Sequence, residues 1–407
     1  MDFIANACTA TKRGGVQGAL GQVLALAAGV AGASTEAGAA EGAEWSFVYQ
    51  GDLVSSWSDV VDGRARALDS AHITLDLDLE RLAGWRGFSV HADVNPSSGA
   101  APTDDALTMQ GVDNIEVGRQ RTRLYEFWSE FAGPKGRASI RLGLQELNAE
   151  FYATDSSSLL INPSFGPGPE IAATGSNGPS TYPSTALALR ARFALTEAVE
   201  VLAGVFNAKA GSPGDPGGVD TSFDEGVLEI GQIAWRGKTS MYAGAWGYSR
   251  KQDDIRDADL TGDPVKRRSY GGYAAVEHAF WTDEDAVRRP TLFLRAGVSE
   301  GDTTSIKAGI QTGILIDRPL AAREDSAFSF GLAHAHTTRK QQANDRDASI
   351  DTARGETVLE VAYSDRLTPW LTVQPDLQIA FDPGADRARD TAFTAAVRLT
   401  IEPWARR

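Results

Sequence analysis

The stretch AHITLDLDLE, Ala71–Glu80, decides the fold. Ile73, Leu75, Leu77 and Leu79 fall on one side of an extended chain, and His72, Thr74, Asp76, Asp78 and Glu80 fall on the other. Strict alternation marks a strand with one oily and one wet face. A soluble sheet buries the oily face. A transmembrane barrel turns it to lipid and points the charged face at a water-filled lumen.

The same period returns from Glu44–Leu53 to Leu371–Phe381 and Ala392–Ile401, in about 16 runs, an even count within the range of single-chain barrels. Connection lengths alternate along the chain. Long connections follow the first strand and fill Pro96–Arg123, Gln145–Thr185, Ala208–Gly226, Arg250–Ser269 and Thr337–Gly355. Short turns fall at Ala83–Arg86, Gly133–Arg137, Leu195–Ala198, Arg236–Gly237 and Arg366–Pro369, with a less regular stretch from Trp281 to Asp325. The expected fold is an all-β, transmembrane antiparallel β-barrel with long extracellular loops, short periplasmic turns and both termini periplasmic. Aromatics near strand ends, among them Trp45, Phe131, Trp235, Trp370 and Phe381, suit interfacial girdles.

No window approaches the roughly 18 consecutive apolar residues of a membrane helix, a test to which barrel strands are blind. At the N-terminus, Lys12 and Arg13 precede the mildly apolar Leu20–Ala33, which closes on the small residues Ala31-Gly32-Ala33. This reads as a signal peptide over 1–33, followed by a linker over 34–43 and the barrel over 44–407.

A formal net charge of -15 without a basic patch argues against nucleic acid. The single cysteine, Cys8, leaves no internal disulfide and no zinc cluster. There is no G-x-S-x-G elbow, P-loop or H-E-x-x-H, so neither an enzyme nor a cofactor is expected. His334 and His336 share a strand face without a nearby third ligand and read as a packed pair. Asp254–Asp263 loosely resembles a calcium loop but lacks its order, and a solvated acidic loop is the better reading. No metal site is expected. Paired acids such as Asp76/Asp78 and Glu126/Glu130 could suggest a glycosidase, but spacing on one strand cannot set that geometry.

The inward faces carry the binding chemistry. On Leu124–Phe131, Glu126, Trp128 and Glu130 oppose Tyr125, Phe127 and Phe131. On Ala138–Leu144, Ser139 and Arg141 face inward and Gln145 follows; on Ala186–Phe193, Arg190 and Arg192 do so. Later strands add Glu229, Glu277, Arg295, Lys307, Glu360, Gln374, Asp376, Gln378 and Arg398. A lining of both charge signs, with an aromatic to stack on C–H faces, suits an uncharged, hydroxyl-rich solute better than an ion. The competing reading makes many of these residues structural ion pairs across the wall.

At these residues a family resemblance enters. LDLDLERLAGW (Leu75–Trp85), TRLYEFWSEF (Thr122–Phe131) and IRLGLQELNAEF (Ile140–Phe151) resemble strands and turns of the carbohydrate-selective porins of the OprB type. LLINPSFGPGPE (Leu159–Glu170), TYPSTALALRARF (Thr181–Phe193) and ETVLEVAYSDRLTPWLTVQPDLQIAFDPG (Glu356–Gly384) are similar to the family's long inward loop, return strand and C-terminal segment. The resemblance implies a constricted pore in a Gram-negative outer membrane, passing glucose-like sugars by passive diffusion. It implies that Gln145–Thr185 folds into the lumen and that Glu126, Glu130, Arg141 and Glu150 supply channel-lining charges. Implied partners are small carbohydrates, outer-membrane lipid and lipopolysaccharide, and the barrel-assembly machinery, with a homotrimer left open. One departure is the C-terminus, where Ile401 runs on into Glu402-Pro403-Trp404 instead of ending on an aromatic.

Two alternatives stay open: a general or differently selective porin, and a secreted all-β protein that binds carbohydrate or cleaves glycosides. Fractionation separates the last from the others. The barrel reading expects material that needs detergent and migrates in a heat-modifiable way; a chain monodisperse in plain buffer would end it.

Overall fold

In the computed structural model, residues 41–403 are described, apart from 213, 214, 216 and 281–287. The expected signal peptide over 1–33 and Trp404 therefore lie outside the described residues. The strands are β1 (Ala43–Trp57), β2 (Asp62–Asp78), β3 (Phe88–Gly99), β4 (Arg121–Ala132), β5 (Ala138–Gln145), β6 (Ala186–Ala194), β7 (Val199–Asn207), β8 (Val227–Trp235) and β9 (Thr239–Tyr248). There follow β10 (Gln252–Ala258), β11 (Pro264–Arg267), β12 (Tyr270–Ala279), β13 (Arg289–Ser299), β14 (Ile306–Asp317), β15 (Ser326–Thr337), β16 (Gly355–Thr368), β17 (Leu371–Phe381) and β18 (Ala392–Ile401). All but β10 and β11 close into one barrel of 16 antiparallel strands, with β1 against β18. Closure satisfies every strand edge, which lipid requires.

Alternation places Leu53, Phe127, Phe131, Ile140, Leu142, Leu189, Phe193 and Ile233 on the outside, with Leu142 61% exposed. So continuous an apolar surface is a hazard in water and the normal outer face of a membrane barrel.

The structure corrects the sequence expectations in several places. No long loop follows the first strand. β1 and β2 run on to a tight turn closed by Ser58 N–H donating to the Val61 carbonyl at 2.9 Å. The polar residues of 54–70 look loop-like, but here they pair as strand above the apolar belt. Tyr125 points inward, because the register slips at Asp93/Val94 and leaves it as the extra residue of a bulge in β4. Glu229 stands exposed on the outer face, while Leu228, Ile230 and Gln232 face in. Lys307 sits at the rim, its Nζ bonded to the Ser299 and Glu300 carbonyls at 2.6 and 2.9 Å. The connection after β9 carries the β10–β11 hairpin. Its Asp254 is bonded to Lys340 and Arg267, and hydrogen bonds from the Asp257 N–H, Lys340, the Arg256 N–H and Arg267 hold its carboxyl at about 2 against the effect of burial. His334 and His336 lie on the outer face of β15 with ring centroids 6.2 Å apart, and His334 Nδ1 is 2.9 Å from the Thr357 hydroxyl.

Two loops fold into the lumen. The loop 100–120 pins its backbone to Glu356, which accepts from Met109 N–H at 2.7 Å and Gln110 N–H at 3.0 Å. At the seam, Arg398 of β18 faces its register partner Asp52 of β1 with Nη2–Oδ2 at 2.6 Å, and reaches Asp113 and Asn114 of that loop at 3.2 and 2.7 Å. Burial, with the Asp52 carboxylate beside it, pushes the Asp113 carboxyl well up.

Replacing Arg398 by Leu strands a buried carboxylate. We expect a loss of about 3–5 kcal/mol, seen as a clear drop in the temperature at which the barrel loses its heat-modifiable mobility. Lys135→Ala, at an exposed turn, should leave that temperature in place. Equal temperatures for both variants would remove Arg398 from the seam.

Candidate functional site

The loop 146–185 governs the lumen. Its first part packs apolar side chains, Leu147, Phe151, Tyr152 and Ile171, on an inner wall made apolar by Leu202, Phe206, Leu228, Ile230 and Trp246. That packing explains why β8 turns Leu228 and Ile230 inward. Its middle part is held by polar side chains of the far wall. Glu277 accepts from Ser156 N–H at 2.8 Å, Glu360 from Asn162 N–H at 3.1 Å, and Gln374 donates to the Leu159 carbonyl at 2.7 Å. Arg295 donates to the Phe165 carbonyl at 2.6 Å. Buried backbone needs such partners. The middle of the loop therefore lies on the wall from β6 to β17, its two ends return to β2 and β4, and open space remains between it and the β1–β5 side.

That space holds a cavity of about 800 Å³, whose lining includes Gln50, His72, Asn114, Tyr125, Asn148 and Tyr182. His72 and Tyr125 meet edge to face at 5.5 Å, and Tyr125 and Tyr182 lie 5.9 Å apart. His72 Nδ1 is 2.6 Å from Asp93. The buried Tyr125 hydroxyl faces the Glu146 carboxyl. Glu146 joins the lining, and burial lifts its carboxyl to about 7.

The residues expected from the sequence lie nearer the short-turn end of the wall. Glu130, Arg141, Glu150 and Arg190 form one network. Arg141 meets Glu130 at 2.8 Å; Arg190 meets Glu150 at 2.6 Å and Glu130 at 3.2 Å. Arg190 also donates to Ser139 Oγ at 2.7 Å, and its side chain is only 2% exposed, so it braces the network from behind. Trp128 stacks on His91 of β3 at 4.9 Å and carries the Arg141 guanidinium from β5 at 3.7 Å, so partners reach its ring from both neighbouring strands. Glu126 accepts from Glu146 N–H at 2.8 Å and fixes the root of the loop. Gln145 is buried, donating to the Ala188 carbonyl at 2.9 Å. Arg192 stands apart, paired with Glu200 at 3.1 Å near the turn.

Gln50, Tyr125, Asn114, Asn148 and Tyr182 were missed as site residues. Gln50 and His72 sit on inward strand positions, a legible signal. Tyr125 was hidden by the bulge, and Asn114, Asn148 and Tyr182 come from loops with no period to read. Among the described residues, no group of three or more His, Cys, Asp or Glu is arranged to hold a metal ion.

The chain is 22% identical over 400 residues to Porin B of Pseudomonas aeruginosa, covering 88% of this chain and 87% of that one. A high-pH structure of OprB from Pseudomonas putida superposes with a TM-score of 0.80 at 20% identity, covering 89% of this chain and 94% of the other. The outer-membrane channel DcaP of Acinetobacter baumannii shares the fold at a TM-score of 0.54 and 9% identity, covering 89% and 98%. The model of the carbohydrate-selective porin, OprB family, matches residues 63–402. With its closed barrel and polar lumen, the chain belongs to the carbohydrate-selective porins of the OprB family, integral to the outer membrane.

Proposed function

We propose that this porin passes small neutral sugars of the glucose type by passive diffusion, along the space between the loop 146–185 and the β1–β5 wall, with no catalytic step. The observation that carries this reading is a charge-balanced network at the edge of that path, shared by β4, β5, β6 and the loop. Two carboxylates, Glu130 and Glu150, meet two guanidiniums, Arg141 and Arg190, within one network. A balanced network presents little net field to select ions, yet holds donors and acceptors in fixed positions for hydroxyls. Glu126 and Trp128 border the same path. Above them the amides of Gln50, Asn114 and Asn148 and the tyrosine pair offer uncharged partners. Arg190 and Gln145 act as struts, and Arg192 belongs to the mouth at the turn end.

Liposome swelling tests the selectivity. Glucose should enter faster than an amino acid of matched size, and equal permeation of both would reduce the chain to a general porin. Arg141→Ala should alter single-channel conductance or sugar block severalfold while the barrel stays folded. Arg190→Ala leaves Glu130 and Glu150 short of their brace and should cost about 3 kcal/mol of stability. Unchanged permeation in Arg141→Ala would take that residue out of the path.

A further inference from the structure

Glu170 lies in the short helix Pro169–Ala172 of the loop 146–185 and is fully buried. No donor meets its carboxyl oxygens in full hydrogen-bond geometry, although the Tyr152 hydroxyl and the backbone N–H of Glu170 itself lie close enough to favour the ionised form. The wall is cut away to receive it. Gly297 of β13 and Gly309 of β14 are register partners, both facing the lumen. A Cβ at Gly297 would overlap the carboxyl outright; one at Gly309 would stand 2.6 Å from its other oxygen and 2.8 Å from the Pro169 ring. The groups facing the carboxyl are few. The Tyr152 hydroxyl comes from the loop and is the nearest side-chain donor to the carboxyl, and Arg295 comes from β13. That guanidinium donates through Nη1 to the Thr154 hydroxyl and the Phe165 carbonyl, leaves its Nε without a partner, and lies over the Tyr152 ring at 4.8 Å. Tyr242 and Tyr273 stand behind Tyr152, and β14 offers no ionised group at the notch.

We propose that Glu170 is a positioning residue of the pore: its protonated carboxyl, seated in the notch of Gly297 and Gly309, locks the loop 146–185 to the wall and so sets the size limit of the channel. The inference rests on the reading of that loop as the wall of the sugar path. At this depth burial costs an ionised carboxylate more than the Tyr152 hydroxyl, the nearby backbone N–H and the Arg295 charge return. Burial accordingly lifts the Glu170 carboxyl to about 7, against an ordinary 4.5. Because the seated value lies above the free one, seating is fully favoured below the free value. It weakens as pH rises towards the seated value and levels off above it. The equilibrium between seated and free loop shifts towards free by roughly 70-fold from pH 5 to pH 8.

The test is single-channel recording in potassium chloride on purified, full-length barrels whose folding is verified by heat-modifiable mobility. Wild type should be quiet at pH 5 and show added current noise and larger conductance at pH 8. Glu170→Gln, which keeps the shape without the charge, should stay at the pH 5 level throughout. Glu146 also titrates near 7, so the difference between wild type and Glu170→Gln carries the decision. Gly309→Ala should give the pH 8 behaviour already at pH 5 and admit larger sugars in swelling assays. A Glu170→Gln channel with the wild-type pH profile, a pH-independent wild type, or a folded Gly309→Ala channel indistinguishable from wild type at pH 5 would each overturn the proposal. Potassium chloride current is read without sugar, so such a failure leaves the sugar reading standing. A wild type that admits no sugar sinks that reading alone.

Discussion

A backbone amide in hydrocarbon has no water to bond, so every strand in the membrane must find a neighbour on both sides. All else in this molecule depends on that requirement. It forces the first strand to meet the last, and the meeting is marked by Asp52 and Arg398, register partners that face each other inside the wall. The same arginine reaches Asp113 and Asn114, so the seam also holds the loop 100–120. Closure and lumen architecture are thus joined at one buried cation.

A closed barrel of this size leaves a wide lumen, and the chain fills much of it with its own loops. A loop in that position needs what any buried segment needs, namely apolar contact and backbone partners. The inner wall supplies both, in separate places. Towards β6–β12 it is apolar and receives Leu147, Phe151 and Ile171. Towards β12–β17 it is polar, and Glu277, Glu360, Arg295 and Gln374 take the loop's N–H and carbonyl groups. Between them the glycine pair on β13 and β14 removes side-chain volume where the loop comes closest. The mixed charges gather beside β4 and β5, where Glu130 and Arg141 meet Arg190 of β6 and Glu150 of the loop.

Those charges are arranged to cancel. Glu130 and Glu150 are matched by Arg141 and Arg190, and Trp128 stacks between an imidazole and a guanidinium. A free arginine row would draw anions and a free carboxylate row would draw cations. A matched network holds direction-specific donors and acceptors without a strong field, which suits neutral polyols.

Much of this was written in the chain. The period of two in Ala71–Glu80 and its repeats determined strand, outward face and barrel, because side-chain direction in a strand follows from position alone. Glu130, Arg141 and Arg190 were legible for the same reason. The tertiary structure decided what a strict alternation cannot encode. Tyr125 turned inward because one extra residue entered the register of β4. Glu229 turned outward because the loop gave β8 an apolar surface to face inside the barrel, so oily residues no longer marked the lipid side. Asn114, Asn148, Tyr182 and Glu170 reached the lumen on loops, whose paths are set by contacts with strands more than a hundred residues away and not by any local period.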